Sequence, residues 1–260
     1  MDQVDREIIL NLLRDGRISQ NRLAKILGLS APSINARFNK LLEDKIIKGF
    51  KLLVNPNLYN NYFAYVAFSN LRDFESRWVF VKFKCLENFN VYGIEGRTMK
   101  ELEDRIETMS RFLGKPLMFY FPEQRPLEMK SWLIALLNIL SENPRASVGE
   151  IGIRMKYKPM KVKKALSSLI GHIQVIPIVD LIKADALLLA IFTKKVDEVK
   201  KLTQDCSIIT VKGGEKGVEI CFTNGIEHSK RVIEIARKID EELQVMLVYD
   251  YEIRGFKSLS

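Results

Sequence analysis

The sequence predicts an α+β protein in which one helical unit and one mixed α/β unit each occur twice. Three observations support this prediction. Residues 1–57 carry apolar side chains at the spacing of short helices. The helical pattern returns at an offset of 128 residues, and residues 58–125 and 184–260 both alternate between strand-like and helix-like segments. A chain of 260 residues is long enough for several such domains, each with its own core.

The first unit, residues 1–57, has the pattern of a winged helix-turn-helix. Ser19 and Ser30 stand where the N-caps of the second and third helices are expected, and Gly28 can make the turn between them. The third helix is predicted to bury its apolar side and to expose four polar residues: Ser33, Asn35, Arg37 and Lys40. The strand-prone segment IIKGFKLLV then predicts a wing or a connecting strand.

The second unit, residues 58–125, is predicted to be a truncated ferredoxin-like domain. Strands are predicted over 61–68, 89–95 and 117–122, and helices over 70–86 and 98–113. The resulting order is β-α-β-α-β, which is one strand short of the β-α-β-β-α-β order of a complete ferredoxin-like unit.

The second half repeats this plan. Residues 126–183 are predicted to be a second winged helix-turn-helix, in which Arg145 aligns with Arg17 and Ser147 begins a capping box. Residues 184–260 are predicted to be a complete ferredoxin-like domain. Its predicted strands are 186–193, 207–212, 218–223 and 245–252, and its predicted helices are 195–204 and 226–243.

Composition favours a cytoplasmic protein without a metal or cofactor. The hydrophobic fraction of 47% and the charged fraction of 28% are typical of a globular protein. No apolar run reaches the length of about 18 residues that a membrane span needs, and the acidic start MDQVDREIIL is unlike a secretory signal. Three cysteines without CxxC spacing favour buried thiols over a zinc site or a disulfide framework.

The net charge of +9 is concentrated in the two helical units. Residues 1–54 hold ten basic and six acidic side chains, a net charge of +4, and residues 126–183 hold nine and four, a net charge of +5. The intervening segments 55–125 and 184–260 carry only +1 and −1. Basic charge confined to two helix-turn-helix units is typical of surfaces that bind phosphates, so double-stranded DNA is the predicted partner.

The N-terminal residues carry a family resemblance. The opening MDQVDREIILNLLRDGRIS, the turn GLS before the third helix, and IIKGF followed by VNP resemble the Lrp/AsnC family of bacterial and archaeal transcription regulators. The resemblance implies a winged helix joined to a ferredoxin-like, RAM-type domain that pairs with a neighbouring copy. The chain is similar to two such subunits fused in tandem, and an archaeal source is expected.

This resemblance implies a sequence-specific regulator that acts as a single-chain pseudo-dimer with two heads and an asymmetric target site. Arginine and asparagine can bind guanine and adenine through two hydrogen bonds, whereas lysine mainly holds phosphate. In the first head we assign base contacts to Ser33, Asn35 and Arg37, phosphate contacts to Arg17, Lys40 and Lys48, and the same surface to Ser30 and Pro32. In the second head we assign phosphate contacts to Lys156, Lys158, Lys161, Lys163 and Lys164, with a solvated basic face as the alternative.

The family resemblance also implies a small effector at a loop after the second strand. The corresponding stretches are 92–97 and 212–217, and the residues assigned to this loop are Gly93, Glu95, Gly96, Gly213, Gly214 and Glu215. Neither stretch carries the aspartate of the family's Gly-x-x-Asp turn, so amino-acid sensing in the family manner is not predicted. An ordinary hairpin turn is the alternative for Gly213 and Gly214.

Three alternatives stay open. Some proteins that resemble this family decarboxylate modified tetrapyrroles with histidine and arginine near the cofactor. Only His172 and His228 are available here and no catalytic set of residues stands out, so the chain is predicted not to be an enzyme. A protein-interaction scaffold is the second alternative, and association of two chains into a homodimer is the third.

Overall fold

The structure is a computed structural model and describes residues 1–128, 130–212 and 217–256. Its helices are α1 (Gln3–Arg14), α2 (Gln20–Leu27), α3 (Ala31–Glu43), α4 (Met99–Leu113), α5 (Ser131–Glu142), α6 (Val148–Met155), α7 (Pro159–Ser167), α8 (Val196–Leu202) and α9 (Gly225–Ile239). Its strands are β1 (Ile47–Val54), β2 (Tyr62–Ser69), β3 (Val79–Cys85), β4 (Phe89–Gly96), β5 (Met118–Tyr120), β6 (Ile173–Val179), β7 (Ala186–Thr193), β8 (Ser207–Val211), β9 (Gly217–Asn224) and β10 (Gln244–Ile253). None of these helices is long and apolar enough to cross a membrane.

The predicted helix ends of both helix-turn-helix units are confirmed. Asp2, Ser19 and Ser30 cap α1, α2 and α3, each accepting a hydrogen bond from a backbone N–H in the first turn. Gly28 closes α2 in the left-handed conformation, with φ of 65°. Ser147 begins α6 with the predicted capping box. The helices α1–α3 are called the first head below, and α5–α7 the second head.

The two heads are joined by a two-stranded antiparallel sheet. The segments predicted as wings or connecting strands are β1 and β6, and within the described residues they pair with each other, Leu52 lying opposite Val175. Leu52 and Val54 of β1 pack in the core of the second head, whereas Val179 of β6 packs in the core of the first. Each half therefore supplies apolar side chains to the other half's core.

One antiparallel sheet of eight strands runs through both α/β units, in the order β5-β2-β4-β3-β10-β7-β9-β8. Within each half the strands lie in the order fourth, first, third, second, which is the ferredoxin-like arrangement. The halves meet where β3 pairs with β10, with Phe83 opposite Tyr251. This pairing covers two edges that would otherwise present unpaired backbone groups. The α+β fold class is therefore confirmed.

The prediction of a helix over 70–86 and of a missing third strand is wrong. Residues 70–78 form a connection, and β3 follows it, so the first unit has all four strands and lacks its first helix. The physical reason is the length of the connection between β2 and β3. The connection between β7 and β8 spans 194–206 and holds α8, whereas 70–78 is four residues shorter. The apolar run at the start of β3 has no clear period, so a strand and a helix are not distinguished there by sequence.

Strand alternation divides the sheet into two apolar faces. Val66 and Phe68 pack with Leu102 and Met109 of α4 on the outer face, while Ala67 faces a larger core shared with the second unit. In the second unit Leu189 and Ile191 pack with Val232 and Ala236 of α9, while Leu188 and Ala190 join the shared core. Helices thus cover the outer face of each unit, except where the first unit lacks one.

Candidate nucleic-acid interface

The third helix of the first head, α3, presents a polar face to solvent. Ile34 and Phe38 are buried and fix the rotation of the helix, which leaves Asn35, Asn39 and Lys40 exposed. Asn35 and Asn39 lie one turn apart on the same face, where two amides can reach neighbouring base pairs. Sequence reasoning missed Asn39, although its i+4 spacing from Asn35 is visible in the sequence.

Ser30, Pro32 and Ser33 form the start of α3. The Ser30 hydroxyl accepts a hydrogen bond from the Ser33 backbone N–H at 3.3 Å, and Pro32 lies in the first turn. Ser33 is half-buried and Pro32 is exposed. Ser30 therefore acts as a helix cap, whereas Asn35 is exposed on the helix surface.

Arg37, predicted to contact a base, forms ion pairs with the start of α1. The Arg37 guanidinium lies 2.7 Å from a carboxylate oxygen of Asp2 and 2.8 Å from one of Asp5, both in the first turn of α1. Hydrogen bonds to these two carboxylates raise the pKa of Arg37. The side chain thus ties α3 to α1.

Arg17, predicted to contact a phosphate, lies at the junction of the two heads. Its guanidinium donates to the carbonyl oxygens of Pro144 and Ala146, at 2.6 and 2.5 Å, and burial lowers its pKa. Arg145 reciprocates by donating to the carbonyl oxygen of Ile18 at 2.8 Å. Ile18 and Ala146 are equivalent at the 128-residue offset, so the contact has pseudo-twofold symmetry.

Lys48 forms part of the same junction rather than a free phosphate contact. Its ammonium lies 2.9 Å from a carboxylate oxygen of Asp180, which follows β6. Asp180 also accepts a hydrogen bond from the Lys183 backbone N–H. Of the phosphate contacts predicted in the first head, only Lys40 is exposed and without an ion pair within the described residues.

The second head exposes a lysine surface. Its five predicted residues are all exposed, and within the described ranges none is ion-paired: Lys156, Lys158, Lys161, Lys163 and Lys164. Lys161 lies over the Tyr157 ring, 3.6 Å from its centroid. Lys163 occupies the position equivalent to Asn35 of the first head. Ammonium groups that have no ion-pair partner and lie beside a helix-turn-helix can bind DNA phosphates without distinguishing the base sequence.

The stretch predicted as an effector loop in the first half is part of a strand rather than a loop. Gly93, Glu95 and Gly96 lie inside strand β4, and a Cβ on Gly93 would approach Val81 to 2.4 Å. The Glu95 carboxylate accepts hydrogen bonds from Tyr59 and Asn61, and burial raises its pKa. These residues therefore serve packing. The corresponding Gly213, Gly214 and Glu215 lie outside the described residues.

Comparison with known proteins identifies the family. Residues 1–48 match the family described as winged helix-turn-helix DNA-binding. The leucine-responsive regulatory protein of Rhizobium meliloti (strain 1021) is 30% identical over 138 residues, covering 42% of this chain and 87% of that protein. The chain belongs to the Lrp/AsnC family.

Two further similarities are found. An uncharacterized HTH-type transcriptional regulator of Pyrococcus furiosus is 29% identical over 123 residues, covering 44% of this chain and 83% of that protein. The crystal structure of the siroheme decarboxylase NirDL aligns with 99% of this chain and 95% of that chain, at 13% identity and a TM-score of 0.49. The sequence similarities to Lrp/AsnC-type regulators thus span less than half of the chain.

The two histidines of this Lrp/AsnC-family chain occupy ordinary structural positions. His228 accepts a hydrogen bond at Nδ1 from the Asn224 backbone N–H at 3.1 Å, and burial lowers its pKa. His172 is exposed in the turn before β6, where its carbonyl oxygen accepts from the Asn55 N–H.

The three cysteines are buried free thiols, as predicted. No metal-ligating cluster occurs among the described residues.

Proposed function

We propose that this chain is a sequence-specific, double-stranded-DNA-binding regulator of transcription that acts as a single-chain pseudo-dimer. The observation that carries the proposal is a pair of reciprocal contacts: Arg17 donates hydrogen bonds to the second head, and Arg145 donates one to the first head. Together with the β1–β6 pairing, these contacts hold the two heads in one fixed relation. Two helix-turn-helix units at a fixed separation match two half-sites on one duplex.

The first head is proposed to read sequence. Asn35 and Asn39 are exposed on one face of α3, and an amide can bind adenine through two hydrogen bonds. Lys40 lies beside them and can hold a phosphate. Arg37 contributes by fixing α3 to α1 through Asp2 and Asp5, so that the asparagines are presented at a defined angle.

The second head is proposed to bind mainly the DNA backbone. Lysine is a compact charge that does not offer the planar, two-point contacts of arginine or asparagine. Lys163 takes the position of Asn35, so the exposed face of α7 carries charge where that of α3 carries an amide. The two heads therefore contribute differently to one asymmetric site.

The test compares matched substitutions in the two heads. Genomic fragments bound by the intact chain are selected first, and the affinity of the preferred duplex is then measured by fluorescence anisotropy over a range of salt concentrations. Asn35→Ala with Asn39→Ala should reduce discrimination between the preferred and a scrambled duplex by about 1–3 kcal/mol for each good base contact. Lys163→Gln should instead lower the salt slope by about 0.9 for each lost phosphate contact.

Lys115→Gln is the control for both arms, because Lys115 is exposed between α4 and β5, away from the heads. It should leave both readouts unchanged. Absence of any salt-dependent binding to duplex DNA would refute the proposal. A tetrapyrrole enzyme would give a different result in the same preparation, since uptake of a haem-like ligand would produce a Soret band.

A further inference from the structure

The first turn of α7 carries an exposed methionine among the lysines of the second head. Val162 is fully buried and fixes the rotation of the helix. Met160 lies three and four residues before Lys163 and Lys164, so the three side chains share one solvent-facing side of α7. All three are exposed, and 76% of the Met160 surface is accessible to solvent.

Packing within the protein does not account for the position of Met160. Ala165 and Leu166 of the same helix pack against the core of the second head, whereas Met160 points to solvent. The equivalent position of the first head holds Pro32, which is short and rigid, but methionine is long, flexible and polarisable. A single exposed apolar residue is ordinary on a protein surface, so the place of Met160 on the lysine-bearing face, rather than its exposure, indicates a role.

The charges around Met160 match the backbone of DNA. Lys158, at the N-cap position of α7, and Lys163 are exposed and without an ion pair among the described residues. Lys161 lies over the Tyr157 ring, which holds it beside the turn between α6 and α7. Phosphate contacts by these lysines would hold the first turn of α7 at the groove, because backbone contacts set the position of a recognition helix on the duplex.

The chemistry of the major groove supplies a partner for an apolar side chain at this place. Among the groups that the base pairs present there, the apolar one is the 5-methyl group of thymine. Residues in the first turn of the second helix of a helix-turn-helix reach the base edges. A thioether side chain can cover the methyl group and exclude water from both surfaces.

We propose that Met160 contacts the 5-methyl group of a thymine in the major groove, and that this contact gives the second head a preference for one T·A base pair. The inference rests on the proposed DNA binding. It adds one base-dependent contact to a head whose lysines bind phosphates.

Ile153 of α6 offers a contrast within the same head. It is 81% exposed and corresponds to Lys25 of the first head. The first helix of a helix-turn-helix crosses the DNA backbone instead of entering the groove, so Ile153 is not expected to reach a base. Truncation of Ile153 therefore removes a similar amount of exposed apolar surface without removing the proposed contact.

The experiment replaces thymine by uracil, one position at a time, in the preferred duplex. Uracil keeps the hydrogen-bonding groups of thymine and lacks only the methyl group. For the intact chain, fluorescence anisotropy should show at least one position at which uracil weakens binding by about fourfold, the effect of one buried group of this size. Met160→Ala should bind the thymine and uracil forms of that duplex equally, whereas Met160→Leu should keep most of the difference.

Ile153→Ala is the matched control and should keep the full difference between thymine and uracil. Met160→Ala should also leave the salt slope unchanged, in contrast to Lys163→Gln, because methionine releases no counterion from the DNA. Circular dichroism and thermal melting verify that each variant is folded.

Three results overturn the contact: no position at which uracil weakens binding by the intact chain, a difference that survives in Met160→Ala, or an equal loss in Ile153→Ala. Each of these can occur while binding of the duplex stays salt-dependent and sequence-specific, and each then leaves the proposed function standing. Absence of all salt-dependent duplex binding is a different result, which refutes the proposed function and this inference with it.

Discussion

The first and second heads have the same interior and different surfaces. Ile34 and Val162 are equivalent and both fully buried, and Arg17 and Arg145 make reciprocal contacts across the junction. The agreement ends on the solvent side of the third helix, where Asn35 of the first head corresponds to Lys163 of the second. Positions that pack against the rest of the protein are constrained in both copies, whereas exposed positions can differ in chemistry without loss of the fold.

The heads also differ in how the third helix is attached. In the first head Arg37 binds Asp2 and Asp5 at the start of α1. The residues at the equivalent positions of the second head are Ala165, Lys130 and Leu133, which cannot form these ion pairs. The N-cap position of α5 makes no side-chain hydrogen bond, whereas α1 has a full capping box. The first head therefore has ion pairs between α1 and α3 that have no counterpart at the equivalent positions of the second head.

The largest expected effects come from cavities at equivalent core positions. Ile8 and Leu136 are both fully buried, so Ile8→Ala and Leu136→Ala should each lower the free energy of unfolding by about 2–5 kcal/mol. Because β1 and β6 contribute to the cores of both heads, either substitution should shift a single thermal transition. Calorimetry that resolved two transitions, only one of which moved, would show that the heads unfold independently.

Smaller effects are expected at the head–head junction. Arg17→Ala and Arg145→Ala should each cost about 1–3 kcal/mol, because the first leaves the carbonyl groups of Pro144 and Ala146 without this donor and the second that of Ile18. Arg145→Ala should cost more, since its guanidinium also lies over the rings of Phe38 and Phe50, 5.1 and 4.7 Å from their centroids.

Urea denaturation measures this difference between the two arginines. Arg125→Ala is the matched control, because its side chain is exposed and near only one carboxylate. Equal stability of all three variants would mean that the reciprocal contact does not hold the heads together in solution. A larger loss for Arg17→Ala than for Arg145→Ala would contradict the assigned contribution of the two rings.

Local signals in the sequence predicted the helices and strands. The arrangement of the candidate nucleic-acid interface depends instead on contacts between residues that are far apart in sequence. Helix caps such as Ser19 and Ser147 act within one turn, so their residue types alone indicated where helices begin. The partners of Arg17 are far away in sequence, and those of Arg37 lie at the start of another helix. An arginine beside a helix-turn-helix has the same appearance in sequence whether it binds a phosphate or a backbone carbonyl.

The dependence on contacts between distant residues also explains the wrong predictions in the first α/β unit. The 128-residue repeat correctly indicated two related α/β units, but it did not show that the first lacks a helix rather than a strand. The apolar residues of β3 satisfy both patterns, and the pairing with β10 that decides between them joins positions more than 160 residues apart. Gly93 was assigned to an effector loop because of the family resemblance, whereas its packing against Val81 depends on which strand lies beside β4.

The smallest expected effect concerns the ion pairs that only the first head has. The Asp5 backbone N–H and the Arg37 guanidinium lower the pKa of Asp2 below its ordinary value of 3.8. Ionised Asp2 is therefore favoured in the folded state, and its contribution to stability is present above pH 3.8 and lost as the pH falls through the lowered pKa. Asp2→Asn should slightly destabilise the protein at neutral pH, and should lose less stability on acidification than the wild type.

Chemical denaturation at steps between about pH 5 and pH 2 measures this difference, because this range contains the ordinary pKa of Asp2 and the values below it. Glu123→Gln, at an exposed carboxylate outside both heads, serves as the control and should follow the wild-type curve. Parallel curves for wild type and Asp2→Asn would indicate that Arg37 gains nothing from Asp2 in solution. Its guanidinium would then be held to α1 by Asp5 alone, and the two heads would differ less at the α1–α3 contact than in the structure.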